Sequence, residues 1–456
     1  MSEVLLAKAE GPAIPIHLFW SGGELPSEPA AALASFSGRA GEIVAVPGEG
    51  GKPAKVLFGM GEAAKPDAGA ARALSASLPA GDYRLESETA PLSAAALALA
   101  WAQGAYRFDR YRTKRGASAP RLAVGLDESE LTQIRAIAHA CALARDMINT
   151  PANDMGPRQM ESIAREITHA HDARISVIAG DELLAEGYPA VYAVGRAASA
   201  ERSPRMIEIS WGEEGAPKVV VIGKGVVFDS GGLDLKPAAS MRLMKKDMGG
   251  AAHALALGRM IMAAGLRVHL TVLTPVVENA VGGSAMRPGD VLSSRSGLSI
   301  EVGNTDAEGR LILADALARA GELEPELTID LATLTGAARV ALGPEVVPFY
   351  TSDEALAGEL AAASAAAFDP LWRMPLWRGY APALESDVAD LRNDPDAWAQ
   401  AGSVTAALFL ERFAPKGAWA HFDIFAWNPR GRPGWPVGAE AQAIRALFEV
   451  IKARYG

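Results

Sequence analysis

The chain has 456 residues, enough for two or three domains and a large core. A hydrophobic share of 49% with 21% charged residues is that of an ordinary globular protein and excludes a disordered or fibrous chain. The net charge of −10, with no basic stripe, argues against a nucleic-acid partner. Cys141 is the single cysteine and cannot close an internal disulfide, which fits a reducing compartment. Residues 1–14 lack a signal peptide's apolar block, and no apolar run reaches the ~20 residues of a membrane span. A cytoplasmic protein with no membrane partner is expected.

Residues 1–126 read as a small N-terminal α/β domain. Strands are expected at 14–19, 42–46, 55–58 and 121–124, with an alanine-rich helix at 93–105. The run at 107–115, Arg-Phe-Asp-Arg-Tyr-Arg-Thr-Lys-Arg, is basic but short and interrupted by Asp109, so it reads as a solvated connector. No catalytic constellation stands in this third. A connecting helix follows within 127–148, with Leu131, Ile134, Ile137, Ala138, Cys141 and Ala142 at helical spacing. Asn149-Thr150-Pro151 ends it, because a residue before proline is biased away from helix.

Over 149–456 strands and helices alternate. Strands are expected at 174–178, 191–194, 206–210, 219–222, 267–273, 327–331 and 418–422. Helices are expected at 158–171, 250–264, 311–321, 403–413 and 439–453. The alternation predicts an α/β fold in which this larger domain carries a mostly parallel central sheet flanked by helices.

Two stretches of this domain concentrate charge. One runs Gly223-Lys224-Gly225-Val226-Val227-Phe228-Asp229-Ser230-Gly231-Gly232 and on through Lys236 to Lys245-Lys246-Asp247-Met248-Gly249-Gly250. It follows the buried-strand run 218–222, so Lys224 and Asp229 fall at or beyond a strand's C-terminal end, where open α/β sheets bind ligands. Asp247 stands just before a helix, and its plain structural role would be an N-cap. The other stretch is Asn304-Thr305-Asp306-Ala307-Glu308-Gly309-Arg310-Leu311. Were 306–310 extended, Asp306, Glu308 and Arg310 would share one face. Two acids aimed at one spot repel unless a cation lies between them. Asp229, Asp247, Asp306 and Glu308 carry four negative charges, which two divalent ions would balance. Oxygen-rich sites suit Mg, Mn or Zn, and paired ions are a recurrent hydrolytic device. With seven histidines and no His-Glu-x-x-His, an imidazole-bound zinc is not expected.

Asn304 to Leu311, with Gly223 to Gly232 and Asp247 to Ala252, resembles the leucyl aminopeptidase family of two-metal cytosolic exopeptidases. The similarity runs from about Ala142 to His421. It implies an enzyme that removes N-terminal residues from short peptides, with two divalent ions (Mn or Zn) per subunit and a homohexameric assembly. Asp229 and Glu308 would touch both ions, Asp306 the looser one, and Asp247 and Lys224 the tighter one. A lysine ligand must be neutral, which from a pKa of ~10.4 costs over ~4 kcal/mol near pH 7; only the adjacent ions could supply it. The resemblance makes Lys236 the charged donor to the developing oxyanion. It makes Arg310 the holder of a bicarbonate that shuttles the proton, a task its planar fork suits.

Met244, Thr333 and Gly336 match positions lining the family's pocket for the first side chain. Phe425 and Asn428 stand where relatives more often have small or flexible residues, so bulk there would reshape that pocket. A different class of function is a DNA- or nucleotide-binding module carrying a relic peptidase domain. The complete set of ligands, with Lys236 and Arg310, weighs against a relic.

Overall fold

The computed structural model describes residues 4–9, 11–23, 36–86, 89–113, 118–395 and 400–456. Two units emerge, Met1–Ala142 with Asn428–Gly438, and Leu143–Trp427 with Ala439–Gly456. In the first, strands β1 (Leu5–Leu6), β2 (Ile14–Trp20), β3 (Ile43–Pro47), β4 (Pro53–Gly61), β5 (Asp82–Leu85) and β6 (Arg121–Ala123) form one sheet in the order β1-β6-β5-β2-β4-β3. Among the described residues of this sheet, only the β3–β4 pairing is antiparallel. The strands β1 and β5 escaped the sequence pattern because they are too short to show a period. Helix α1 (Arg72–Ser77) packs on α2 (Ala94–Gly104), which Ser93 caps by accepting from Ala96 N at 3.1 Å. Within the basic run, 107–113 forms neither helix nor strand, and 114–115 lies outside the described residues. Helix α3 covers Glu128–Asn149.

The second unit is built on a nine-stranded sheet. Its strands are β7 (Arg174–Ala179), β8 (Arg205–Trp211), β9 (Lys218–Gly223), β10 (Gly225–Asp229), β11 (His269–Asn279), β14 (Leu327–Ala332), β15 (Val347–Tyr350), β16 (Leu371–Arg373) and β18 (Ala418–Asp423). A smaller sheet of β12 (Val291–Ser293), β13 (Ser299–Glu301) and β17 (Leu391–Arg392) stands apart. The large sheet runs β16-β15-β18-β14-β9-β11-β8-β7, with β10 also on β11. The central strands β18, β14, β9 and β11 are mutually parallel. Register pairs Gly223 with Leu331 and Ala332 with Asp423, so Lys224, Thr333 and Ile424 all leave the same C-terminal edge.

Helices α4 (Pro157–Ala170), α5 (Pro189–Gly195), α6 (Gly249–Ala263), α7 (Glu308–Glu322), α8 (Gly336–Leu342), α9 (Glu354–Ala366), α10 (Gly402–Glu411) and α11 (Ile444–Tyr455) accompany these strands. Strand β9 is buried from Val219 onward, and α6 is buried over nearly its whole length. The start of α6 lies so close to the sheet that a Cβ on Gly250 would stand 2.1 Å from Leu331 O. Only glycine permits that approach, which seats the helix start on the strand ends.

Three local expectations change. Residues 191–194 are helical rather than extended, because Asp315, far along the chain, accepts hydrogen bonds from Ala190 N and Val191 N and so caps α5. The last helix begins at Ile444 instead of 439, where Asp369 accepts from the amides of Ala443, Arg445 and Ala446. Residues 306–310 are not extended. Asn304 turns the chain, its Oδ1 accepting from Asp306 N at 2.8 Å, and α7 starts at Glu308. No helix among the described residues is long and apolar enough to cross a membrane.

Candidate metal centre

Lys224 leaves β9 with its amide donating to Leu331 O and its carbonyl accepting from Ala251 N. Its backbone therefore ties β9, β14 and α6 together. Its Nζ lies 2.7 Å from Asp247 Oδ2, 3.0 Å from Glu308 Oε1 and 3.2 Å from Thr333 O. Asp229 ends β10, and its Oδ1 accepts from Gly231 N and Asn279 Nδ2, both at 2.9 Å. Lys236 Nζ sits between Asp229 Oδ2 at 2.8 Å and Asp306 Oδ1 at 2.5 Å. Asp247 rides on a 3-10 turn, Met244–Met248, and does not cap α6, whose N-cap position is Met248 with no side-chain bond. Thr333 Oγ1 instead donates to Asp247 Oδ1 at 2.8 Å.

Turn and helix thus bring together what an extended segment would have. Asp229, Asp306 and Glu308 each offer an oxygen, and the three oxygens lie within 4.8 Å of one another. Asp306 Oδ1, Asp247 Oδ2 and both oxygens of Glu308 are buried without a hydrogen bond, although lysine ammoniums lie within ion-pair distance of three of them. Buried carboxylate oxygens normally have hydrogen-bond partners, so this donor set fits hard, oxygen-seeking cations.

The electrostatics agree. Burial, with Asp229 adding to it, pushes Glu308 up to about 8 and Asp306 up to about 6. Burial alone would lower the Lys224 pKa, but Asp247, Glu308 and Asp229 outweigh it and raise it on balance. For Lys236 burial is likewise outweighed, chiefly by Asp229. The two ammoniums are the cations that hold the acids together here.

Arg310, buried in α7, donates from Nη1 to Asn393 O at 2.6 Å, and its Nε has no hydrogen-bond partner. Among the described residues no carboxylate comes within ion-pair distance of it. Of the residues expected to line a pocket, Met244 is half-buried on the turn that carries Asp247, and Gly336 is exposed at the start of α8. Thr333 is buried with its hydroxyl committed to Asp247. Residues that sequence reasoning missed hold these groups in place. Asn279 bridges Asp229 and Thr305 O, and Asn393 receives Gly303 N at 2.8 Å while donating to Asn304 O at 2.8 Å. Asn279 could have been found as a polar residue ending an apolar strand; Asn393 carries no such signal. Asp423 accepts from Leu334 N and Thr335 N, both at 3.0 Å, and so fixes the loop that carries Thr333.

Residues 142–448 match the family model described as cytosol aminopeptidase family, catalytic domain. The chain belongs to the cytosol aminopeptidase family. It is accordingly a metal-dependent aminopeptidase, and its substrates are peptides. Residues 27–124 match the corresponding M17 aminopeptidase N-terminal domain. A probable cytosol aminopeptidase of Syntrophotalea carbinolica is 38% identical, over 92% of this chain and 90% of that protein. The crystal structure of the cytosol aminopeptidase of Coxiella burnetii is 41% identical, with a TM-score of 0.92 over 99% of this chain and 100% of that one. The bottromycin maturation enzyme BotP, solved in complex with Mn, is 33% identical, with a TM-score of 0.87 over 97% and 99%. None of these relatives is named as a nucleotide- or DNA-binding module.

Proposed function

We propose that the cluster holds two divalent ions, Mn or Zn, with Asp229, Asp306, Glu308, Asp247 and Lys224 as ligands. The reading rests on three carboxylates converging within 4.8 Å, with buried oxygens that lack hydrogen bonds. When bound, such ions polarise a peptide carbonyl and lower the pKa of water so that hydroxide is available near neutral pH. Lys224 acts as a ligand only after releasing the proton that Asp247 and Glu308 hold on it, and divalent charge at those same oxygens favours that release.

Lys236, with its ammonium between Asp229 and Asp306, is positioned to donate to negative charge developing on the scissile carbonyl oxygen. Arg310, buried with an unpartnered Nε, would hold a small anion such as bicarbonate in its fork, and such an anion would supply a proton relay between the attacking water and the leaving amine. Met244, Thr333 and Gly336 contribute to the pocket for the first residue. The substrates are short peptides, the assembly is a homohexamer and the location is cytoplasmic, by similarity to the family. In this reading 1–126 is the N-terminal domain, 127–148 the connecting helix and 149–456 the catalytic domain.

The deciding experiment measures bound metal by elemental analysis and amino-acid release from a peptide library, with and without added Mn or Zn. Fewer than two ions per chain at full activity would refute the dinuclear assignment. An active monomer by light scattering would refute the hexamer.

A further inference from the structure

Next to the metal cluster, in the same unit, two cations face one aromatic ring. Lys246 Nζ lies 5.3 Å from the centre of the Phe425 ring, and Arg339 Cζ lies 5.0 Å from it. Three segments converge to make this group. Lys246 stands on the turn that carries Asp247, Arg339 in the helix that follows the Thr333 loop, and Phe425 just beyond the end of β18. They meet close to the candidate ligands, since a Cβ on Gly249 would stand 2.9 Å from both Ala426 Cβ and Thr333 Cγ2.

The two cations are poorly matched by anions. Lys246 is buried at 6% exposure, and Asp247 Oδ1, at 3.8 Å, is the only carboxylate oxygen within ion-pair distance among the described residues. That oxygen already accepts the Thr333 hydroxyl. Asp423, the next acid to act on Lys246, has its oxygens taken by Leu334 N, Thr335 N, the Thr335 hydroxyl and the Ser403 hydroxyl. Arg339 is exposed and has no carboxylate within ion-pair distance among the described residues. An aromatic face attracts a cation only weakly beside the desolvation of a buried ammonium. A carboxylate arriving from outside would supply the charge partner that the ring does not.

We infer that Lys246 and Arg339, both set against the Phe425 ring, make this aminopeptidase select peptides whose first residue is acidic. The inference rests on the proposed function, because it places the released residue's side chain beside the metal cluster. The phenyl ring fills the space a long aliphatic side chain would take, and the two cations supply the charge complement for aspartate or glutamate. An uncharged amide of the same shape would leave Lys246 unpaired.

The test compares peptides beginning with Glu against Gln, and Asp against Asn, otherwise identical, together with an alanine-initiated control. The ratio of kcat/KM within each pair is the readout, because a general loss of activity cancels in it. The wild type should favour the acid by about tenfold in at least one pair. Arg339→Gln should cut that ratio several-fold and Lys246→Gln further. Arg339 is exposed, so its variant gives the result even if the buried Lys246 variant folds poorly. A wild-type ratio below about threefold in both pairs, with the alanine control hydrolysed, overturns the inference alone. A ratio unmoved by Arg339→Gln also overturns it. No hydrolysis of any peptide at saturating metal would overturn the proposed function and this inference with it.

Discussion

Replacing Thr333 by valine probes how the protein holds Asp247, a proposed ligand. The side chains have nearly the same volume, so the cavity contribution is small and the hydroxyl is what changes. Thr333 Oγ1 reaches Asp247 Oδ1 at 2.8 Å and Asp247 O at 3.1 Å, and both residues are buried. After the change, among the described residues Asp247 Oδ1 keeps only the distant Lys246 ammonium at 3.8 Å. Losing a hydrogen bond to a buried charged group costs about 1.5–3 kcal/mol. If the lost bond also lets the carboxylate turn, metal affinity should fall by about 10- to 100-fold, the usual effect of removing a group that orients a ligand. Calorimetric titration of the metal-stripped protein with Mn measures this directly, and kcat/KM at saturating Mn separates loading from turnover. Were Thr333 only a wall of the substrate pocket, KM would change and metal affinity would not. That result would refute the reasoning.

Asp306→Ala should abolish hydrolysis, by at least about 1000-fold, with the melting temperature little changed, because Asp306 is only partly buried. Activity within tenfold of wild type at full metal loading would contradict its role. Gly309→Ala would place a Cβ 2.6 Å from Lys224 Cε and Nζ. The flexible lysine should move aside with little loss of stability, while activity falls by about 100-fold through misplacement of the amine; unchanged kcat would count against Lys224 as a ligand. Phe425→Ala should raise the kcat/KM ratio of leucine amide to alanine amide about 5- to 200-fold by relieving overlap. An unchanged ratio would place the ring outside the pocket. Asp315, pushed up to about 7 by burial, keeps a proton in the fold that the unfolded chain releases above about 4. Its contribution therefore falls as pH rises from about 4 to 7, by at most ~4 kcal/mol. Urea unfolding at pH 5 and 8 should show a smaller pH dependence for Asp315→Asn than for wild type.

The sequence by itself determined the alternating α/β order of the larger unit, the buried strand before Lys224 and the identity of the charged side chains. These are local matters: a run such as Val219–Ile222 is buried on both faces, and a helix such as α7 shows its period within a few turns. The signature Asn304–Leu311 was legible as chemistry, since acids at that density need a cation whatever the backbone does. Only the tertiary structure decided how they meet. Asp306 and Glu308 converge through a turn and a helix start, which Asn304 holds locally and Asn393, 89 residues further along the chain, holds from another segment. The Thr333–Asp247 hydrogen bond and the Lys246–Phe425–Arg339 group were likewise invisible in the chain, because each joins segments that only the parallel register of β9, β14 and β18 brings to one edge. Residues 191–194 show the same limit at small scale. Their β-branched valines favour a strand, yet the Asp315 side chain, more than a hundred residues away, caps them into a helix. Local preference is worth fractions of a kcal/mol per residue, and a buried side-chain oxygen that accepts two amide hydrogen bonds outweighs it.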